Sequence, residues 1–452
     1  MRAPGVISLL ALCVGLASAQ AAPPATPALF PHPAQSWYVA GQANYIYQAH
    51  GAFPAPYSGP NSLVNTPEDA LSRVLTLYAG WQADPHFELL ADVEETGGQG
   101  LSQVLGMAGF PNLDAVRNPA LGTAPYLARG LAHIVIGLSK AEVTVAPSPV
   151  SSFTRLPRRR LEVWVGKMSV PDFFDANSVS GSSHQQFLNW TISTTGAYDY
   201  AADTRGYTWG AVAVYTTPLG SLRFAEALMP TVANGETLQW NLRRGHAENL
   251  EWDTQLSAGR WFGRHPLTAR LWGFADSGNL GVYRQAVANY LAGTTPLPDI
   301  TAHPLQLRRK PGVGFNLEQA LSPSLSWFAR AGWAGGRYES FAYTEAEQSL
   351  AAGAVLTGSA WRRPLDQTGV AVTVNGISGD HRRYLALGGR GFLLGDGGLR
   401  YGHERVAEAF YGVAVGRHGV YIGPDVQYAV NPGYNAARGP VWIPGARLHL
   451  DF

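Results

Sequence analysis

Between residues 172 and 207 the chain crowds together side chains that can donate and accept hydrogen bonds. They are Asp172, Asp175, Asn177, Asn189, Asp199, Asp203 and Arg205, with Trp190, Tyr198 and Tyr207 interleaved. Further on, RYES sets Arg337 and Glu339 at i and i+2, one face of a strand. Carboxylates accept, guanidinium groups donate and amides do both, so such a set can exchange hydrogen bonds with a neutral solute without strongly trapping an ion. Each residue also has a plainer reading. Asp175 and Asn177 can cap turns, Arg205 can pair with Asp203 or Asp199 to pin a loop, and the rings can be packing or interfacial residues. Bond-making chemistry finds no motif. The 12 histidines form no HExxH or close His/Cys cluster, so no metal site is expected. No GxSxG elbow occurs. GGRGFLLGDGG lacks a surrounding βαβ pattern and reads as a bend rather than a phosphate loop.

The elements that must hold these residues are announced by alternation. In LSRVLTLYAGWQ, Leu71, Leu75, Leu77, Ala79 and Trp81 share one parity, and Ser72, Thr76, Gly80 and Gln82 the other. After Asp84-Pro85, Phe87, Leu89, Ala91 and Val93 oppose Glu88, Asp92 and Glu94, with Leu90 interrupting the polar side. The pattern returns in LEVWVGK, SLSWFARAGW and QTGVAVTVN, and in VAEAFYGVAV and VYIGPDVQYAV, which flank a tight turn at residues 416–419. Period-two runs joined by short Gly-containing turns read as hairpins.

Alternation suits a sandwich, which buries the apolar faces, or an outer-membrane barrel, which turns them to lipid. Aromatic residues near strand ends and long loops such as 110–125 between tight turns favour the barrel. So does export of a chain with nearly neutral mean hydropathy and no helical span. Two strands with a turn and a loop use on the order of 26 residues, giving about 16 strands, although 18 also fits. The expected fold is a transmembrane antiparallel β-barrel with long external loops and short periplasmic turns, wide enough for a water-filled interior.

Export rests on the N-terminus. MRAPGVISLLALCVGLASAQ has a basic start, a short apolar run and small residues at Ala17 and Ala19, the pattern of a signal peptide over 1–19, with Ala21 or Ala22 as alternative cleavage points. Residues 20–36 form a Pro/Ala-rich tail, and 37–452 the barrel domain. The one cysteine, Cys13, lies in the signal and follows bulky Leu12, against a lipoprotein. Charged residues make up only 14% of the chain and the net charge is +1, so no basic face for nucleic acid is evident. Arg158-Arg159-Arg160 reads as a solvated or lipopolysaccharide-facing cluster.

Five stretches carry a family resemblance: GKMSVPDFFDANSVSGSSHQQFLNW with GAYDYAADTRGYTWG, FARAGWAGGRYESFAYTE, HRRYLALGGRGFLLGDGGLRYGHE, and the closing QYAVNPGYNAARGPVWIPGARLHLDF. In order and over nearly all of the chain from residue 37, they resemble the OprB-type carbohydrate-selective porins. The resemblance implies a barrel that passes mono- or disaccharides passively, with no cofactor, in the bacterial outer membrane among lipid and lipopolysaccharide. A pyranose has hydroxyls that donate and accept and C–H faces that lie on rings, which the residues above could meet. Gly335, Gly398 and Arg400 depart from the family pattern and leave sugar preference open. A general or anion-preferring porin and, with less support, a barrel enzyme are the alternatives.

The chain ends ARLHLDF, with Leu448, Leu450 and Phe452 on one parity and Arg447, His449 and Asp451 on the other. The expectation is a last strand that pairs with the first and faces lipid with its apolar side. The resemblance adds that the strand ending in Phe452 is read by the barrel-assembly machinery.

Overall fold

Strand after strand turns its apolar parity outward. Val370 and Val372 are 61% and 55% exposed, while Ala371 and Thr373, which alternate with them, are buried. Leu71, Leu77, Leu89, Val93, Val165, Phe315 and Ile422 are likewise exposed, and Glu88, Asp92, Glu94 and Thr76 are buried. This is a water-soluble protein's arrangement reversed, and it places lipid outside. The computed structural model describes residues 36–118, 121–256, 265–416 and 419–452; the expected signal peptide, the expected tail up to residue 35 and the Arg417-His418 pair of the expected turn lie outside them.

The strands are β1 (Trp37–His50), β2 (Glu68–Asp84), β3 (Phe87–Gly98), β4 (Tyr126–Gly137), β5 (Glu142–Thr144), β6 (Arg155–Pro157), β7 (Arg160–Met168), β8 (Thr208–Thr217) and β9 (Gly220–Ala227). They continue with β10 (His246–Leu256), β11 (Leu267–Gly278), β12 (Arg308–Ala320), β13 (Leu325–Ala334), β14 (Gln348–Gly358), β15 (Arg363–Gly376), β16 (Glu404–Val415), β17 (Val420–Val430) and β18 (Val441–Asp451). Each pairs antiparallel with its sequence neighbours, except that β5 and β6 form a separate hairpin and β4 pairs with β7. The result is a closed barrel of 16 strands. Its seam joins β1 to β18 from Gln42↔Asp451 to Gln48↔Gly445. Closure leaves no open edge, so the strands of the wall find their ladder partners within the sheet.

Two aromatic girdles bound the apolar band. Near the short turns stand Trp37 and Trp81, directly paired, and Trp361 against Tyr411. At the opposite rim Tyr428 meets Trp442 at 4.5 Å and Trp209 meets Trp240 at 5.9 Å. Connections alternate in length as expected, with 321–324 and 359–362 short and 99–125, 169–207, 279–307 and 377–403 long. One connection on the short-turn side departs: residues 138–159, between β4 and β7, are extended by the β5–β6 hairpin. The Arg158-Arg159-Arg160 cluster therefore sits at the short-turn rim, away from the long loops.

The interior also corrects an expectation. It is not simply water-filled, because long connections fold inward and carry their own aromatic residues. Phe110, Phe173, Phe174, Trp190 and Tyr198 pack there with the wall residues Trp272 and Phe274 in one buried cluster. Short helices α1 (Trp190–Ser193), α2 (Tyr283–Leu291) and α3 (Gly379–Ala386) belong to these connections.

Candidate functional site

The 169–207 connection leaves β7 and crosses the lumen, held by wall side chains along its course. Glu251 accepts from Asp175 N at 2.7 Å. Arg447 donates to Ser183 O and Gln186 O at 2.8 and 2.7 Å, and Glu408 accepts from Leu188 N and Asn189 N. A carboxyl oxygen that satisfies backbone N–H groups inside a low-dielectric barrel makes a strong hydrogen bond. Inward carboxylates of the wall are thus spent on fixing loops.

Most of the residues singled out from sequence belong to the same framework. Asp175, 2% exposed, accepts from Asn316 Nδ2 (2.8 Å), Trp272 Nε1 (3.2 Å) and Thr195 N (2.7 Å), with Arg330 3.7 Å away. Asn177 donates to Asn316 Oδ1 and accepts from Val179 N and Ser180 N. Asn189 caps α1 and donates to Gly109 O. Trp190 donates to Asn112 O and stacks on Tyr343. Asp199 accepts from Lys310 Nζ and the backbone of 341–343. Asp203 accepts from Arg205 N and Tyr207 N. All six are buried. Arg337 and Glu339 do not share a strand face: they lie in the 335–347 connection, Arg337 exposed and Glu339 buried against Gly281 N.

Asp172 and Arg205 are different, because both keep solvent access and join a continuous polar lane. Arg129 of β4 donates Nε and Nη2 to Asp172 at 2.7 and 2.8 Å and Nη1 to Asp92 at 2.9 Å. Its guanidinium lies 5.5 Å from the Tyr207 ring. Tyr207 Oη donates to Glu94 at 3.0 Å, and Tyr126 donates to the same carboxylate. Arg205 sits 4.1 Å over the Tyr126 ring and donates to Thr96. It forms no ion pair with Asp203 or Asp199 among the described residues. Donors, acceptors and ring faces thus run side by side from Asp172 to Thr96, opposite signs nearly cancelling.

The decisive comparison covers residues 74–452, which match the family model described as "Carbohydrate-selective porin, OprB family". The chain belongs to the OprB family. A high-pH structure of Pseudomonas putida OprB superposes with TM-score 0.68 at 15% identity, covering 92% of this chain and 94% of that one. The outer membrane channel DcaP of Acinetobacter baumannii gives TM-score 0.51 at 10% identity, covering 92% and 97%. No curated protein matches. This OprB-family chain is an outer-membrane porin, a passive channel and not an enzyme.

Arg129 was missed in the sequence because β3 and β4 shift register there. Asp92 pairs with Arg129 and Val93 with Leu127, so Ala128 is the extra residue of a bulge. Leu127 and Ile134 both face out although their parities differ, which hides the alternation that would have put Arg129 inside. Asp92 and Glu94 did stand on the polar parity of their strand.

The long-loop side of this porin carries a titrating cluster. His381 of α3 lies 2.8 Å from Glu347 and 3.3 Å from Glu345, all buried. Burial alone would lower the imidazole, but the two carboxylates outweigh it and raise His381 to about 9. A raised folded-state value means the stabilisation is full below about pH 6.5 and is lost as pH rises through about 9. Limited proteolysis of the 377–403 connection should therefore be faster at about pH 10 than at about pH 7. His381→Phe should be cut rapidly at both. Equal wild-type rates would contradict the assignment.

Proposed function

We propose that this porin passes neutral mono- or disaccharides along the lane of Asp172, Arg129, Tyr207, Tyr126 and Arg205. Its support is the Arg129–Asp172 pair: a bidentate contact between partly exposed groups, with side-chain exposures of 12% and 19%, at the start of the inward-folded connection. Sugar hydroxyls can accept from the guanidinium and donate to the carboxylate, while ring faces of Tyr126 and Tyr207 suit C–H surfaces. Because opposite charges nearly cancel, a solute is held weakly enough to leave. Asp175, Asn177, Asn189, Trp190, Asp199, Asp203 and Glu339 act in this reading by holding the connections in place. The segment 1–19 exports the chain, and the terminal strand ending in Phe452 addresses it to the assembly machinery.

The test is planar-bilayer conductance with and without added sugar. Wild type should show sugar-dependent block. Asp172→Asn leaves Arg129 paired to Asp92 alone, so its channels should shift toward anions and lose most of the block. Identical block and ion preference in the variant would remove Asp172 from the path.

A further inference from the structure

The departing connection at the short-turn rim is a built element rather than a slack loop. Leu138 N donates to Arg159 O at 2.8 Å and Arg158 N to Ala141 O at 2.7 Å, extending the β4–β7 ladder into the β5–β6 hairpin. Its tip is tucked into the barrel mouth. Ser152 N and Ser151 Oγ donate to buried Glu88 at 2.9 and 3.0 Å, and Trp164 Nε1 donates to Val150 O at 2.8 Å. Phe153 is buried against Val135 and Leu156.

What this frame holds out is positive charge. Lys140, Glu142, Arg155, Arg158 and Arg159 are all exposed. Arg155 is matched by Glu142 at 3.2 Å, whereas Lys140, Arg158 and Arg159 have no carboxylate partner among the described residues. The charge also lies at the edge of the lipid-facing band. Arg159 Nη2 is 3.5 Å from Tyr215 Oη, and Tyr215, Ile136 and Leu138 are exposed on the outer wall. In an outer-membrane porin the short-turn rim is periplasmic. There the neighbouring surface is the periplasmic leaflet of the same membrane, whose anionic headgroups attract Lys and Arg.

We propose that the hairpin of residues 138–159 is a docking platform for anionic phospholipid headgroups of the periplasmic leaflet, with Lys140, Arg158 and Arg159 binding the phosphates. Tyr215 and Leu138 would lie beside the upper acyl chain, which a soluble anionic polymer could not exploit.

The full chain, reconstituted in phosphatidylcholine bilayers, should retain spin-labelled phosphatidylglycerol over spin-labelled phosphatidylcholine on the order of tenfold at low salt. High salt should erase most of that preference. The triple variant Lys140→Ala, Arg158→Ala, Arg159→Ala should lose it, whereas Arg383→Ala with Arg390→Ala at the opposite rim should keep it. The salt response of wild type needs no variant and so stands even if the triple variant folds poorly. No preference in wild type, or a preference that survives both salt and the triple change, overturns the proposal. So does lipid-indifferent binding to isolated peptidoglycan that the triple variant loses.

Discussion

Replacing Asp199 with alanine is expected to raise single-channel conductance severalfold and to abolish sugar-dependent block while the barrel stays folded. Asp199 is 1% exposed and ties three parts of the molecule together. It accepts from Lys310 Nζ of β12 at 2.8 Å, and from Phe341 N, Ala342 N and Tyr343 N at 2.8, 2.8 and 3.2 Å. It thereby fastens the 169–207 connection to both the wall and the 335–347 connection. Removing the carboxylate leaves a buried ammonium without its counter-charge, which costs about 3–5 kcal/mol. Each stranded amide adds about 1–3 kcal/mol. The wall itself is held by ladders on both sides of every barrel strand, so the connections should yield first. Asp199→Asn keeps one acceptor oxygen and should fall between wild type and alanine. Unchanged conductance and block in Asp199→Ala would mean that these connections do not limit the path.

The second large effect concerns the seam. Phe452 N donates to Gly41 O at 2.9 Å and Phe452 O accepts from Gly41 N at 2.6 Å, which adds one more pair to the β1–β18 ladder. Its ring covers Gly41 on the outer face, where an added Cβ would fall 2.2 Å from the ring. Glycine is needed at that position so that the ring can lie flat across the seam. Deleting Phe452 removes both hydrogen bonds and the cover. Leu450→Asp places a carboxylate on the lipid side, a change that costs up to about 2–4 kcal/mol for the worst charges at mid-bilayer and less near an interface. Asp451→Asn faces inward, toward His449 at 2.9 Å and Gln185 at 3.1 Å, and keeps its acceptor. The fraction of heat-modifiable, folded protein in membranes should therefore fall most for the deletion, clearly for Leu450→Asp, and little for Asp451→Asn. Equal folding of all three would contradict the outward orientation of the last strand.

These cases also show what the sequence could and could not reveal. The wall was legible because one rule, alternate sides for alternate residues, acts within each strand: Val370, Val372 and Val374 face out, and even the irregular Leu90 lies inside as its parity demands. The interior was not legible, because its contacts join residues far apart in the chain. Nothing local tells Asp175 that Arg330 and Asn316 await it, or Glu408 that it will accept from Leu188 N. Carboxylates and amides in 172–203 looked like solute-binding groups because an acceptor for a sugar hydroxyl and an acceptor for a backbone N–H are the same chemical group. Burial separates the two roles, and burial comes from the fold. Arg129 was hidden for a third reason, the bulge that breaks parity in β4.

The central claim is that neutral hydroxylated solutes cross this barrel past balanced charges. Liposome swelling tests it most directly, with the purified porin challenged by a panel of mono- and disaccharides and by charged amino acids of similar size. The account predicts faster swelling in sugars than in the size-matched charged solutes, and a loss of that difference in Asp172→Asn. Swelling governed by size alone, or faster entry of anions than of sugars in the wild-type channel, would contradict it.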